Sequence, residues 1–170
     1  ENCIGIASGA NAHVTPALIE ANESLIVDAG IVLCQLEIPM ETVLRVADMC
    51  RNAGTIFVLN PAPAQMLSDD LLKNIDILTP NEIELAQLSG MDTDSVADIE
   101  SAARSLCEKG VGTVIATLGA DGCLIVNKEH VVQVPAHNVV AVDTTAAGDV
   151  FNGVLVAGLA LGNSLEDAVG

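Results

Sequence analysis

The sequence predicts an α/β fold: a mostly parallel, doubly wound sheet flanked by helices, with an antiparallel hairpin late in the chain. Three observations carry that expectation. Short apolar runs alternate with longer stretches whose apolar residues recur at helical spacing. The runs Cys123–Val126 and His130–Val134 flank Asn127-Lys128-Glu129, a hairpin signal. Near the end, the apolar run Asn138–Val142 gives way to a small-residue turn, 143–149, which opens a new helix.

In chain order, Cys3–Ala7 reads as a short strand ending in the turn cluster Ser8-Gly9-Ala10-Asn11. Thr15-Pro16 starts a helix as N-cap and first helical residue, with Leu18, Ile19, Leu25 and Ile26 on one face. Ile31–Gln35 is a buried strand. Pro39 opens a helix through Arg51 that ends at Gly54, and Thr55–Leu59 is the next strand, running into the rigid loop Asn60-Pro61-Ala62-Pro63. Ile75–Leu78 is a third strand, Thr79-Pro80-Asn81-Glu82 opens a helix, and Ser95–Lys109 forms a longer one. Val111–Thr117 is a further strand, followed by Leu118-Gly119-Ala120-Asp121-Gly122. In such sheets ligands bind at the carboxyl ends of the strands, and Gln35-Leu36-Glu37, Asn60-Pro61, Thr79-Pro80-Asn81, Thr117-Leu118-Gly119 and the 143–149 turn all fall there. Ser164–Asp167 looks like the capped start of one more helix, so the chain is expected to be a piece of a longer protein.

At 170 residues, 51% of them hydrophobic, the chain is expected to be one domain with a substantial core. No apolar run nears the ~20 residues that span a bilayer, and no signal segment opens the chain; a soluble, cytoplasmic protein is expected. The five cysteines lack C-x-x-C spacing and lie in apolar runs, which suits buried free thiols better than a disulfide framework or zinc. Six basic residues against 23 acidic ones give a formal net charge of −17. Nucleic acid and anionic membranes would be repelled, so neither is expected as a partner. A nucleoside triphosphate would be repelled as well, unless backbone N–H groups and a divalent cation supply the attraction. Aromatic residues are 1% of the chain, so an adenine ring would rest on aliphatic contacts.

The turn at 143–149 carries the chemistry. A helix start offers unpaired N–H groups and the positive end of the dipole, and Ala146, Ala147 and Gly148 are small enough to let an anion reach the backbone. Asp149, in the first helical turn, would take a proton from an attacking hydroxyl beside the held phosphate. An ordinary helix start reads the same way over four residues, because Asp stabilises the dipole without doing chemistry. Asp143 and Thr145 either cap the turn or lend oxygens to a monovalent cation. Thr79-x-x-Glu82 fits a capping box with Pro80 at the first helical position. Asn81 and Glu84 then share a helical face, either as solvated residues or as holders of a hydrated magnesium ion. Gly119 and Gly122 suit a plain turn or a backbone close to a nucleotide. Glu37 is an acid at the mouth of the sheet or an exposed loop residue. No Gly-Lys pair occurs, so there is no Walker A cradle.

D-T-T-A-A-G-D-V-F-N-G resembles the C-terminal signature of the PfkB-type, ribokinase-like sugar kinases. S-G-A-N-A-H-V-T-P-A-L-I-E-A, Q-L-E-I-P, L-N-P-A-P-A, T-P-N-E-I-E and T-L-G-A-D-G stand in the order of that family's ribokinase branch, and the likeness runs nearly end to end. The resemblance implies transfer of the γ-phosphoryl group of ATP to the 5-hydroxyl of D-ribose. It implies that Asp149 is the general base and that the amides of Ala146, Ala147 and Gly148 form an anion hole. Glu37 would touch the sugar, with Asp149. Asn81, Gly148 and the segment Thr117, Leu118, Gly119, Ala120, Asp121, Gly122 would touch the nucleotide. Glu84 would hold Mg2+ through water, and Asp143 and Thr145 would hold an activating K+. Family members add a Gly-rich sugar-binding segment and a β-stranded lid before the part matched here, and nucleotide and cation contacts after it; the lid makes them homodimers. Two other readings stay open: a fragment that binds nucleotide without turnover, and a related kinase for fructose, another sugar or a nucleoside.

Overall fold

The computed structural model describes residues 8–140 and 143–170. The Cys3–Ala7 run, Cys3 and Val142 therefore lie outside the described residues. Six strands form one sheet in sequential order: β1 (Ile31–Cys34), β2 (Ile56–Leu59), β3 (Ile77–Leu78), β4 (Thr113–Thr117), β5 (Cys123–Asn127) and β6 (Val131–Val134). β1 to β4 run parallel, and β5 and β6 return antiparallel as the hairpin signal required. Connection length decides this. Helices α3 (Met40–Ala53), α4 (Asp69–Leu72), α5 (Glu82–Ser89) and α6 (Val96–Lys109) fill the crossovers between parallel strands, whereas residues 118–122 and 128–130 are long enough only to reverse the chain.

Because the strand order is sequential, each crossover steps the same way and a common hand puts its helices on one face. Side chains from α3, α4, α5 and α6 share one core with Phe57, Leu59, Val114, Ala116, Leu124 and Val126. The alternate residues Val58, Ile115, Cys123 and Ile125 point to the other face. That face is covered by α7 (Ala147–Ala160) and α8 (Leu165–Val169), through Phe151, Leu155, Val156, Leu165 and Ala168. So helices flank both faces, and α7 is brought across the sheet with its first turn at the carboxyl ends of the strands.

Several boundaries differ from the expectation for local reasons. The first helix splits into α1 (Pro16–Glu20) and α2 (Glu23–Val27), capped by Thr15 as expected. At the break, the Asn22 amide donates to the Leu18 carbonyl at 2.8 Å, so a side chain competes for a helical acceptor. β1 stops at Cys34. β3 starts only at Ile77, because the Asp76 carboxylate accepts the Phe57 N–H at 2.7 Å and takes the place of a ladder bond. Residues 138–140 form no strand, and Val139 and Val140 are 80% and 93% exposed. Cys50, Cys107 and Cys123 are buried, Cys34 is half-buried, and all four are free thiols. Burial pushes the Cys34 thiol up to about 12 and that of Cys50 up to about 11.

Two glycines make opposite predictions. At Gly122 the backbone has φ +90°, and an added Cβ would lie 2.0 Å from the Val134 carbonyl oxygen. Gly122→Ala is expected to destabilise the protein by at least ~1–3 kcal/mol, the usual cost of a backbone state closed to other residues. Gly153 lies in α7 with open space around it, so Gly153→Ala is expected to gain about 0.5–1 kcal/mol. Urea unfolding of both variants checks the signs; an unchanged midpoint for Gly122→Ala would contradict the first.

Candidate active site

Each parallel strand hands over to a polar residue at its carboxyl end: Gln35 after β1, Asn60 after β2, Thr79 after β3, and Thr117 closing β4. Two of these ends are tied to each other and to helix α7. The Asn60 amide donates to the Thr79 carbonyl at 3.0 Å, and the Thr79 hydroxyl donates to Asn152 Oδ1 at 2.7 Å. The Asn152 amide donates in turn to the Gly148 carbonyl at 2.8 Å. Asn60, Thr79 and Asn152 are all buried. This chain fixes the first turn of α7 against the ends of β2 and β3.

The turn before α7 places Ala146 at φ 59°, ψ 16°, in the left-handed region, at a cost of ~1–2 kcal/mol for a residue with a Cβ. Ala147 N–H closes the turn onto the Thr144 carbonyl at 3.2 Å. Among the described residues, the amides of Gly148 and Asp149 have no backbone acceptor. Of the three amides predicted to form an anion hole, Ala147 is engaged within the turn, while Ala146 and Gly148, like Asp149, have no backbone acceptor among the described residues. The Asp143 carboxylate accepts Thr145 N–H at 2.8 Å, and this bond holds the acid below its ordinary value. Of the two sequence readings, the turn cap is present.

The helix start at α5 corrects the capping assignment. Asn81, not Thr79, is the N-cap: Asn81 Oδ1 accepts Glu84 N–H and Glu84 Oε2 accepts Asn81 N–H, both at 2.8 Å. The Thr79 hydroxyl is committed to Asn152, and Asn81 is still extended and bridges Thr117. The helix therefore begins two residues later than Thr79-x-x-Glu82 suggested. Burial pushes the Glu84 carboxyl up, partly offset by the Asn81 amide.

Three cavities run along this edge. The first, about 270 Å³, is lined by Leu33, Cys34, Gln35, Asn60, Asp149 and Asn152. The second, about 150 Å³, is lined by Thr79, Asn81, Glu84, Thr117, Ala146, Gly148 and Asp149 among others. The third, about 670 Å³ and largely apolar, is lined by Thr117, Gly119, Gly122, Val134, Asp143, Thr145, Ala147, Gly148, Val150 and Phe151 among others. Asp149 belongs to the first and second, and Gly148 to the second and third. Glu37 lies outside all three; it is exposed and accepts from Asn11 at 3.4 Å. Leu118 is buried, and Ala120 and Asp121 are exposed in the short turn beside the third cavity without lining it. Gln35, Asn60 and Thr79 were placed at the strand ends by the sequence but given no role in the site; their signal is a polar side chain at the first position after an apolar strand. Asn152, inside α7, was not singled out and carries no such signal.

A model of the pfkB family carbohydrate kinases matches residues 1–170. The chain belongs to the pfkB family of carbohydrate kinases. It is 42% identical to the ribokinase of Haemophilus influenzae, covering 99% of this chain and 55% of that protein. It is 39% identical to the deoxyribokinase of Salmonella typhimurium, over 89% of this chain and 50% of that one. The fold matches the structure of Arabidopsis thaliana ribokinase complexed with ribose and ATP at a TM-score of 0.93 and 33% identity, covering 99% of this chain and 55% of that one. The chain thus spans about half the length of the kinases it matches.

Among the described residues, no group of three or more His, Cys, Asp or Glu side chains is placed to enclose a metal ion. A magnesium ion that keeps its waters needs only one or two protein carboxylates. Glu84, with one oxygen outside the capping box, fits that need at the second cavity.

The buried chain yields a prediction. Thr79→Val keeps the shape but leaves Asn152 Oδ1 buried without its donor, so a loss of about 1–3 kcal/mol is expected. Thr79→Ser, which retains the hydroxyl, should lose less. Denaturant titration of the pair decides it, and a valine variant as stable as the serine one would count against the chain.

Proposed function

We propose that this chain carries the phosphoryl-transfer centre of an ATP-dependent sugar kinase that converts D-ribose to ribose 5-phosphate. One observation carries the reading: Asp149 and Gly148 are the shared walls of three cavities in a row. The first, with Gln35, Asn60, Asp149 and Asn152 in its wall, suits a sugar. The second suits the transferring phosphoryl group and the third, with its apolar lining, a nucleoside. The ribose and ATP held by the Arabidopsis relative support both substrates.

Asp149 stands where a sugar hydroxyl in the first cavity meets a phosphoryl group in the second. As the general base it takes the hydroxyl proton while that oxygen attacks the γ-phosphorus, and the bond from the γ-phosphorus to the bridging oxygen of the β-phosphate breaks as ADP leaves. The open amides at the start of α7, with the dipole behind them, hold the charge on the equatorial oxygens. Among the described residues, no Lys or Arg lines any of the three cavities, so within this part of the protein positioning and backbone dipoles stand in for a basic cradle. Mg2+ bound through water at Glu84 would offset the phosphate charge, and K+ at Asp143 and Thr145 would brace the turn. Glu37, at the rim, would reach the sugar from outside the cavity, and Asn81, Thr117, Gly119 and Gly122 would line the nucleotide path. Residues 1–170 alone are expected to bind nucleotide and turn sugar over poorly, given the share of the relatives' length they span.

A second reading is supported by the Salmonella relative, a deoxyribokinase at 39% identity: the acceptor is 2-deoxyribose, which attacks through the same hydroxyl. Coupled ADP-release assays on the full-length protein, with ribose, 2-deoxyribose, fructose and nucleosides as acceptors, test the proposal. Ribose is expected to give the highest kcat/KM. Asp149→Asn is expected to lower kcat at least ~100-fold with the KM for ATP nearly unchanged. Undiminished turnover in that variant would overturn the base assignment, and a rate with 2-deoxyribose above that with ribose would favour the second reading.

A further inference from the structure

We propose that Gln35 is a positioning residue for phosphoryl transfer, clamping one oxygen of Asp149 so that the other is presented to the acceptor hydroxyl. The inference rests on the base assignment made above. Gln35 Nε2 lies 2.7 Å from Asp149 Oδ1. An ionised carboxylate only accepts, so the amide edge facing it is the N–H edge. The two residues are 114 positions apart, one just past the end of β1 and the other in the first turn of α7, and both line the first cavity.

Asp149 is exposed, and among the described residues no other side chain donates to it. The terminal torsion of a carboxylate is broad, with no strong intrinsic preference. Without a partner, the base would sample orientations in which neither oxygen faces the sugar. A base must lie within hydrogen-bond reach of its proton, and a misplacement of about 1 Å costs up to ~100-fold in rate. The clamp holds Oδ1 toward β1 and leaves Oδ2 for the proton. Gln35 itself loses and gains no proton, so it acts through Asp149.

The test is steady-state kinetics on the full-length protein with ribose and ATP. Gln35→Met keeps length and volume but removes the donor; kcat is expected to fall about 10- to 100-fold, with both KM values within about 3-fold of wild type. Gln35→Glu, isosteric but acceptor-only at neutral pH, is expected to fall at least as far. Gln35→Asn, one methylene too short to reach, supplies the second neutral variant, and circular dichroism confirms that each is folded. In the Asp149→Asn background, Gln35→Met is expected to cause less than a ~2-fold further loss, because the group it positions has been removed. A Gln35→Met kcat within about 2-fold of wild type overturns the proposal. So does a loss that multiplies fully with that of Asp149→Asn, since Gln35 would then act elsewhere. Full turnover in Asp149→Asn alone is a separate result, which removes the base assignment itself.

Discussion

Helix α7 begins at the carboxyl edge of the sheet because three buried side chains hold it there. Asn60 at the end of β2 binds Thr79 at the end of β3, Thr79 binds Asn152, and Asn152 binds the carbonyl of Gly148. Each link is a polar group removed from water, and each would be costly to leave unpaired. The chain fixes a helix that the hydrophobic effect alone would hold only loosely, because apolar contact through Leu155, Val156 and Leu159 does not specify rotation or advance along the axis. With α7 fixed, Ala146 is set in its left-handed turn, Gly148 and Asp149 line the second cavity with amides that have no backbone acceptor among the described residues, and the Asp149 carboxylate meets Gln35. The geometry of the site is thus a consequence of strand ends meeting a helix start.

The electrostatics of the edge are unusual for the phosphate-handling site proposed above. The chain carries a formal net charge of −17, and Glu84 and Asp149 both line the second cavity. Burial already makes the charged form of Glu84 unfavourable, so a bound cation there would relieve the carboxylate as well as the phosphate. Backbone N–H groups at a helix start carry positive potential without bringing a titratable base near the reacting oxygen. The third cavity follows the same economy: it is apolar, with Val134, Val150 and Phe151 in its wall. The low aromatic content pointed to aliphatic contacts, and Phe151, one of two Phe in the chain, joins them.

The sheet and its long helices were legible in the sequence because their signals are periodic and local. β2, β4, β5 and β6 and helices α3 and α6 fall within two residues of their expected ends, marked by Gly54, Ser95 and the Asn127-Lys128-Glu129 turn. Two of the failures share a cause, a side chain that reaches far along the sequence. Asp76 shortened β3 by binding Phe57, and Thr79 was lost as a helix cap because Asn152, 73 residues on, takes its hydroxyl. Among the candidate site residues, Asn81, Glu84, Thr117, Gly148 and Asp149 all line the second cavity. Gln35 did not declare itself, since nothing in Q-L-E-I-P distinguishes it from its neighbour Glu37, and only the packing of α7 against β1 shows which of the two meets Asp149.

The central claim is that phosphoryl group and acceptor meet at Asp149, between the first and second cavities. A crystal structure of the full-length protein with ribose, ADP, magnesium and a planar fluoride mimic of the transferring phosphoryl group tests it most directly. The account predicts the mimic within about 3 Å of the Gly148 amide, with the sugar hydroxyl between it and the Asp149 oxygen that Gln35 leaves free. A mimic seated away from the start of α7, or a sugar whose hydroxyl approaches from the side opposite Gln35, would contradict it.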